Sequence, residues 1–181
     1  MKYICITESN DWIGKDLPHE LAFIEWAPDG RTILFGTPPG EVKVYDYLGN
    51  SLYSLPIYCL NEDEESPLAS IHWFNGGLNG YITENYPENY PTLCIAYTNG
   101  KMQLMKHEND DSPILIDSGM TVNAAKWAPN GKLLAVGGLI YENDDPRSAI
   151  QFYDNQGTHL RTLRVFIHSI IKHSIGSWTN E

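Results

Sequence analysis

Basic side chains are scarce in this sequence: 12 Lys and Arg stand against 23 Asp and Glu, a formal net charge of −11. Phosphate-binding surfaces are built from clustered Lys and Arg, so this balance argues against a nucleic-acid partner. Cysteine is nearly missing too. Cys5, Cys59 and Cys94 are odd in number, far apart and form no C-x-x-C pair. That pattern argues against a disulfide framework or a zinc clip and fits a reducing compartment. No run approaches the roughly 20 apolar residues of a membrane span. The opening MKYICITESN has neither an h-region nor a small-residue cleavage site. The expectation is a soluble, cytoplasmic chain without direct membrane insertion. Its 42% hydrophobic and 19% charged residues are ordinary for a globular domain.

Catalytic patterns are equally sparse. The six histidines form no HExxH, and His168 and His173, five apart, read as a chance pairing rather than a metal site. The glycines of Gly36-Thr37-Pro38-Pro39-Gly40 and Gly137-Gly138 belong to turns; neither run is followed by Lys-Ser/Thr as a phosphate loop requires. No serine sits in a G-x-S-x-G elbow. The acidic run at 61–67 (NEDEESP) lacks the glycine and the alternating oxygen ligands of an EF-hand loop, so a solvated connector is expected there, without a cation. Cys5 and Cys94 lie in apolar runs and are expected to pack as buried thiols. No catalytic, cofactor-binding or metal-binding residue is assigned, no cofactor is expected, and the chain is read as a non-enzyme.

What the chain does have is an internal repeat. Residues 23–46 read FIEWAPDGRTILFGTPPGEVKVYD, and residues 124–154 repeat the plan as AAKWAPNGKLLAVGG, a loop, then AIQFYD. Both copies share Trp-Ala-Pro-(Asp/Asn)-Gly and an ending in Tyr-Asp. Trp26, Trp73, Trp127 and Trp178 are spaced by 47, 54 and 51 residues. Two positions before Trp the first three copies carry an apolar residue (Ile24, Ile71, Ala125), and immediately before it a polar one (Glu25, His72, Lys126). That is the alternation of a strand with one buried face.

In order, residues 1–20 read as the end of a preceding unit, with Ile4 and Ile6 facing a core. Residues 21–60 hold four short strands divided by turns at Asp29-Gly30, Pro38-Pro39-Gly40 and Leu48-Gly49-Asn50. After the connector 61–67, residues 68–121 form a less regular unit with a long loop at 75–91 and a strong hairpin turn at Asn99-Gly100. Residues 122–165 form a third unit with an insertion at 141–147. Residues 166–181 are a divergent tail, in which 166–171 fits no repeat position and 172–178 starts a further unit. A period near 50 with four strands per copy indicates an all-β, partial β-propeller: about three four-stranded antiparallel blades plus partial blades at both ends. A β-sandwich also has regular short strands, but would not require one Trp-turn motif at the same place in each sheet.

The repeats resemble degenerate WD repeats. Trp-Ala-Pro-(Asp/Asn)-Gly stands in place of the family's Ser-Pro-Asp-Gly, and Tyr45-Asp46 and Tyr153-Asp154 in place of its Trp-Asp; the opening Gly-His is absent. Within the family, the strings at 12–17 (WIGKDL), 34–36 (LFG), 71–73 (IHW), 107–110 (HEND) and 113–120 (PILIDSGM) look like the WD-repeat subunits of intraflagellar transport complex A. A tubby-like protein with N-terminal WD repeats is the nearest competitor, and is not expected to carry HEND. The resemblance covers Ile4 to Val165 and resumes at Lys172. It implies a longer protein with two tandem propellers and a helical-repeat tail, of which this chain would be about three blades of the first propeller.

For function, that resemblance implies a non-catalytic scaffold in retrograde ciliary transport, cilium assembly and delivery of membrane proteins to cilia. The implied partners are other complex A subunits, and the implied places the cytoplasm, ciliary base and axoneme. Tyr81, Tyr86 and Tyr90 in the loop 75–91 are the candidate partner contacts, since tyrosines supply large contact area at low entropy cost. A floppy insertion is the plainer reading of the same loop. Other readings are a propeller interaction module outside the cilium, such as a tubby-like WD region, and a truncated or splice product without its own function. An enzyme on a propeller would need converging polar groups at the inner strand starts, where this sequence is mostly apolar or small.

Overall fold

The computed structural model describes residues 21–61, 63–74 and 91–164. They form three antiparallel sheets of four strands, each strand paired with its neighbour in sequence. The first sheet holds β1 (Phe23–Trp26), β2 (Thr32–Gly36), β3 (Val42–Asp46) and β4 (Ser51–Ser54). The second holds β5 (Leu68–Trp73), β6 (Leu93–Tyr97), β7 (Lys101–Met105) and β8 (Ile114–Asp117). The third holds β9 (Thr121–Trp127), β10 (Leu133–Glu142), β11 (Asp145–Asp154) and β12 (His159–Arg164). No helix occurs among the described residues.

The tryptophans occupy one repeated position. Each is the last residue of a first strand, paired with Ile33, Leu93 or Leu134 near the start of the second strand. The turn after it closes alike in the two regular sheets: Ala27 N–H donates to Thr32 O (3.0 Å) and Ala128 N–H to Leu133 O (2.7 Å). Asp29 and Asn130 fold back to accept the amides two residues on, at 2.9 and 3.0 Å, which is why Asp or Asn precedes the turn glycine. The second sheet closes the same way, Phe74 N–H to Thr92 O (2.7 Å), although its loop is much longer.

Asp46 and Asp154, at the ends of the third strands, also have matching tasks. Each carboxylate accepts two amides of the following turn, Leu48 and Asn50 in one case, Gln156 and Thr158 in the other. Lys106 takes this position in the second sheet, and the task passes to Asp110, which accepts Lys106 N–H (2.9 Å) and Ser112 N–H (3.0 Å).

The sheets stack face to face, with β5 packed between β1 and β9 and no comparable packing among the fourth strands of the described residues. This fanned stack is an arc of propeller blades. One core fills the space between the first two sheets, with Leu34, Val42 and Val44 meeting Ile71, Trp73, Leu93, Ile95 and Tyr97. A second fills the other space, with Cys94, Ala96, Met102 and Leu104 meeting Val122, Ala125, Trp127, Leu134 and Val136. The middle sheet is covered on both faces, so all five residues of β6 are buried.

One expectation is corrected and two regions gain detail. The insertion at 141–147 takes the form of an extended hairpin. β10 and β11 run on as one ladder from Leu133↔Asp154 to Glu142↔Asp145, turned by Asn143 and Asp144 at φ 52° and 64°. Two successive residues with positive φ make the tight turn whose twist suits a hairpin. In the connector, Asn61, Asp63, Glu65 and Pro67 are exposed, while Ser66 and Glu64 tie it to the second sheet. Ser66 is buried against Thr98 Oγ1 (3.2 Å) and Asn99 N–H (3.3 Å), and Glu64 pairs with Lys101 Nζ at 2.5 Å. The alternation in the first strands does not bury one face everywhere: Ile71 and Ala125 are buried, but Ile24 is 60% exposed, because no earlier blade covers it among the described residues. The strands expected at 1–20 and the further unit at 172–178 lie outside the described residues.

Candidate interaction surface

In the first two sheets the polar residue before the tryptophan reaches across to the next sheet. Glu25 Oε1 accepts the N–H of Trp73 at 3.3 Å, and His72 Nδ1 accepts the N–H of Trp127 at 3.1 Å. A first strand is an edge, so alternate amides have no ladder partner, and these side chains satisfy them. Lys126 holds the equivalent place in the third sheet and lies near both Glu25 and His72. Burial holds the Glu25 carboxyl above the ordinary carboxylate range, against the pull of the Trp73 amide and Lys126. Burial, then Lys126, holds the His72 imidazole below its ordinary value.

A second bond closes each junction further out. Gln103 and Gln151 occupy one repeat position, three residues before the place held by Lys106 and Asp154. Gln103 Oε1 accepts Tyr58 N–H (2.8 Å) and Cys59 N–H (3.4 Å), while its Nε2 donates to Pro56 O (3.1 Å). Gln151 Nε2 donates to Ser118 O (3.2 Å), and its Oε1 accepts the Tyr153 hydroxyl. Each glutamine thus grips the chain segment arriving from the preceding sheet.

The turn glycines complete the junctions. Gly40 (φ 103°) and Gly100 (φ 95°) sit at the same place between second and third strands, where a Cβ would come within 2.4 Å of Ser66 O and 2.5 Å of Met120 O. No side chain fits there, and a positive φ favours glycine in any case. Tyr97 adds a buried bond, donating its hydroxyl to Gly40 O at 2.8 Å.

Among the described residues three surfaces are open. The free face of the first sheet presents Ile24 and Trp26, the latter 43% exposed, where its counterparts Trp73 and Trp127 are 3% and 5% exposed. A groove of about 450 Å³ runs between β8 and the outer strands of the third sheet, lined by Leu115, Asp117, Ser118, Gln151, Tyr153 and His159. Its polar groups are engaged in structure: Asp117 accepts Gly119 N–H (3.0 Å), His159 Nε2 pairs with Thr162 Oγ1 (2.9 Å), and the His159 ring stands edge-on to Tyr153. The β10–β11 hairpin runs on past Leu139, its last pair with β9, with Tyr141 exposed near its tip.

Cys94 is buried on β6, as expected of it, and burial pushes its thiol up. Cys59 is pushed up to about 12 for the same reason. Neither thiol is poised as a nucleophile, which needs the thiolate. Among the described residues no three His, Cys, Asp or Glu side chains gather as a metal-binding group, and no helix is long and apolar enough to cross a membrane. The expected contact residues Tyr81, Tyr86 and Tyr90 lie outside the described residues, as does Cys5. Sequence alternation marks the across-sheet acceptors Glu25 and His72 only as the polar side of a strand. The signal that could have found them is their shared repeat position, one residue before each tryptophan.

Comparison with known proteins agrees with this architecture. The β-propeller domain of Cps50 (Swd1) from Myceliophteria thermophila superposes with a TM-score of 0.50 over 80% of this chain and 38% of that one, at 16% identity, a likeness of fold alone. WD repeat-containing protein 35 of Rattus norvegicus is 40% identical over 157 residues, and that of Homo sapiens 39%. Tubby-related protein 4 of Mus musculus is 28% identical over 168 residues. The match covers 84% of this chain but only 13% of WD repeat-containing protein 35, and 78% of this chain but 11% of Tubby-related protein 4. Of these two relatives, WD repeat-containing protein 35 has the higher identity to this chain. The family described as WDR35/TULP4 N-terminal, a β-propeller, matches residues 4–180, and the chain belongs to it.

Proposed function

We propose that this chain acts as a non-catalytic WD-repeat scaffold within intraflagellar transport complex A. In this reading it serves retrograde ciliary transport, cilium assembly and delivery of membrane proteins to cilia. It binds other complex A subunits and resides in the cytoplasm, at the ciliary base and along the axoneme. The observation that carries the proposal is the 40% identity to WD repeat-containing protein 35 across 84% of the chain. The chemistry of the surface agrees with binding rather than turnover, since the polar groups of the groove between the second and third sheets are spent on bonds within the fold. The tyrosines of the loop 75–91, Tyr81, Tyr86 and Tyr90, are proposed as partner contacts.

Affinity purification from ciliated cells expressing the tagged chain tests this. Recovery of complex A subunits, reduced when Tyr81, Tyr86 and Tyr90 are together replaced by alanine, is the expected result. A folded chain that recovers none of those subunits and stays away from the ciliary base would overturn the ciliary reading. It would leave a propeller module of the tubby-like kind.

A further inference from the structure

The two junctions between sheets use the same backbone donor but different acceptors. In one, a carboxyl oxygen of Glu25 receives the Trp73 amide; in the other, Nδ1 of His72 receives the Trp127 amide. This difference has a chemical consequence. A carboxyl group keeps a carbonyl lone pair whether ionised or protonated. An imidazole accepts through one nitrogen only while neutral, and both nitrogens become donors in the imidazolium. We infer that the junction between the second and third sheets is a proton-operated catch: protonation of His72 releases the Trp127 amide, while the Glu25–Trp73 bond of the neighbouring junction survives.

Geometry sets the terms. With Nδ1 receiving the Trp127 N–H at 3.1 Å, the ring proton sits on Nε2. Adding a proton at Nδ1 would place two donors head to head at that distance. The charged group that acts on His72 is Lys126 on β9, and its cross-strand partner on β6 is Cys94; Glu25 on β1 has Lys126 as a neighbour as well. Partial burial and Lys126 both oppose the imidazolium, so the catch is closed at neutral pH. The folded chain resists a proton that the unfolded chain accepts. The stability this contributes is therefore complete above the unfolded value of about 6.5 and is lost as pH falls from there through the lowered folded value. Glu25, held above its ordinary range, has the opposite sign: its contribution is present at low pH and is lost as pH rises through that elevated value. Acidification therefore weakens one junction alone. Ser70 Oγ, which donates to Ala125 O at 2.9 Å, does not titrate and holds the middle of the same junction, so the Trp127 end loosens while the sheets stay together.

The test is amide exchange read by NMR on the chain, with protection factors corrected for intrinsic rates. The ratio of Trp127 to Trp73 protection should fall severalfold between about pH 7.5 and pH 5.5, a range that brackets the unfolded imidazole value of about 6.5. His72→Asn places an amide oxygen near the position of Nδ1 and cannot titrate; its ratio should stay constant across the range. A constant ratio in the unmodified chain would overturn the inference. So would an equal fall in His72→Asn, since the loss would then belong to some other group. The comparison within the unmodified chain stands even where the variant does not fold.

Discussion

The junction between the first and second sheets and the junction between the second and third are built to one plan from different residues. Both bury a tryptophan from the later sheet, both bind its amide from the earlier one, and both use a glutamine to grip the incoming chain. They differ in what lies around these bonds. The first has Gln103 fully buried with three backbone partners, the Tyr97–Gly40 bond and a connector pinned by Glu64 and Lys101. The second has Gln151 with one backbone partner and relies more on small apolar packing around Ala69, Ala96, Ala125 and Ala149. Repetition keeps the geometry of a bond more closely than its chemistry.

The largest expected effect comes from the tryptophans. Trp73→Ala and Trp127→Ala each remove a large side chain buried between sheets and should each cost about 3–5 kcal/mol by urea unfolding. Trp26→Ala at the open face should cost roughly 1 kcal/mol. An equal cost at all three would mean that the first sheet is as well covered as the others. Next come Gly40→Ala and Gly100→Ala. Each forces an alanine into positive φ with its Cβ against a backbone carbonyl, and each should cost about 2–3 kcal/mol, read as a drop in Tm. Similar losses would confirm that the junctions are equivalent at this point; a harmless Gly100→Ala would break the equivalence.

Gln103→Leu should cost about 1–2 kcal/mol by leaving two amides and a carbonyl without their partner, and Gln151→Leu less. The reverse order would invert the comparison of the junctions. The smallest effect is expected for Lys101→Met, which removes a solvent-accessible ion pair that, among the described residues, only the first junction has. Lys101 holds the Glu64 carboxyl below its usual range, so the pair's contribution is present above the ordinary carboxyl value and fades as pH falls through the lowered one. A thermal-melt difference from the unmodified chain that persists in high salt would show that the lysine acts through packing instead.

Much of this architecture is legible in the chain itself. The Trp-turn repeat marks the first strand of each sheet, and the Asp-Gly and Asn-Gly pairs mark the turns, because both depend on local backbone chemistry. The β10–β11 hairpin is harder to see. Asn143, Asp144, Asp145 and Pro146 have the composition of a loop, and the two-residue turn that joins the strands is recognisable only once their pairing is known. The roles of Glu25 and His72 are hidden for a different reason. Strand alternation tells which side a residue faces, not that another sheet will stand within hydrogen-bonding distance on that side. Ser66, lone and small in an acidic run, gives no sign that a hairpin turn closes over it.

The projecting hairpin also bears on how neighbours can approach. Past Leu139, β10 is a margin, with no third strand among the described residues to occupy its outward amides and carbonyls. Such a ribbon invites another chain to add a strand to it. Here Pro146 supplies no amide, and Glu142 is tied to both Arg147 and Arg164, the latter at 2.9 Å, which sets charge along the ribbon's sides. A crowded assembly therefore meets this tip as a finger of side chains rather than as a template for intermolecular sheet growth.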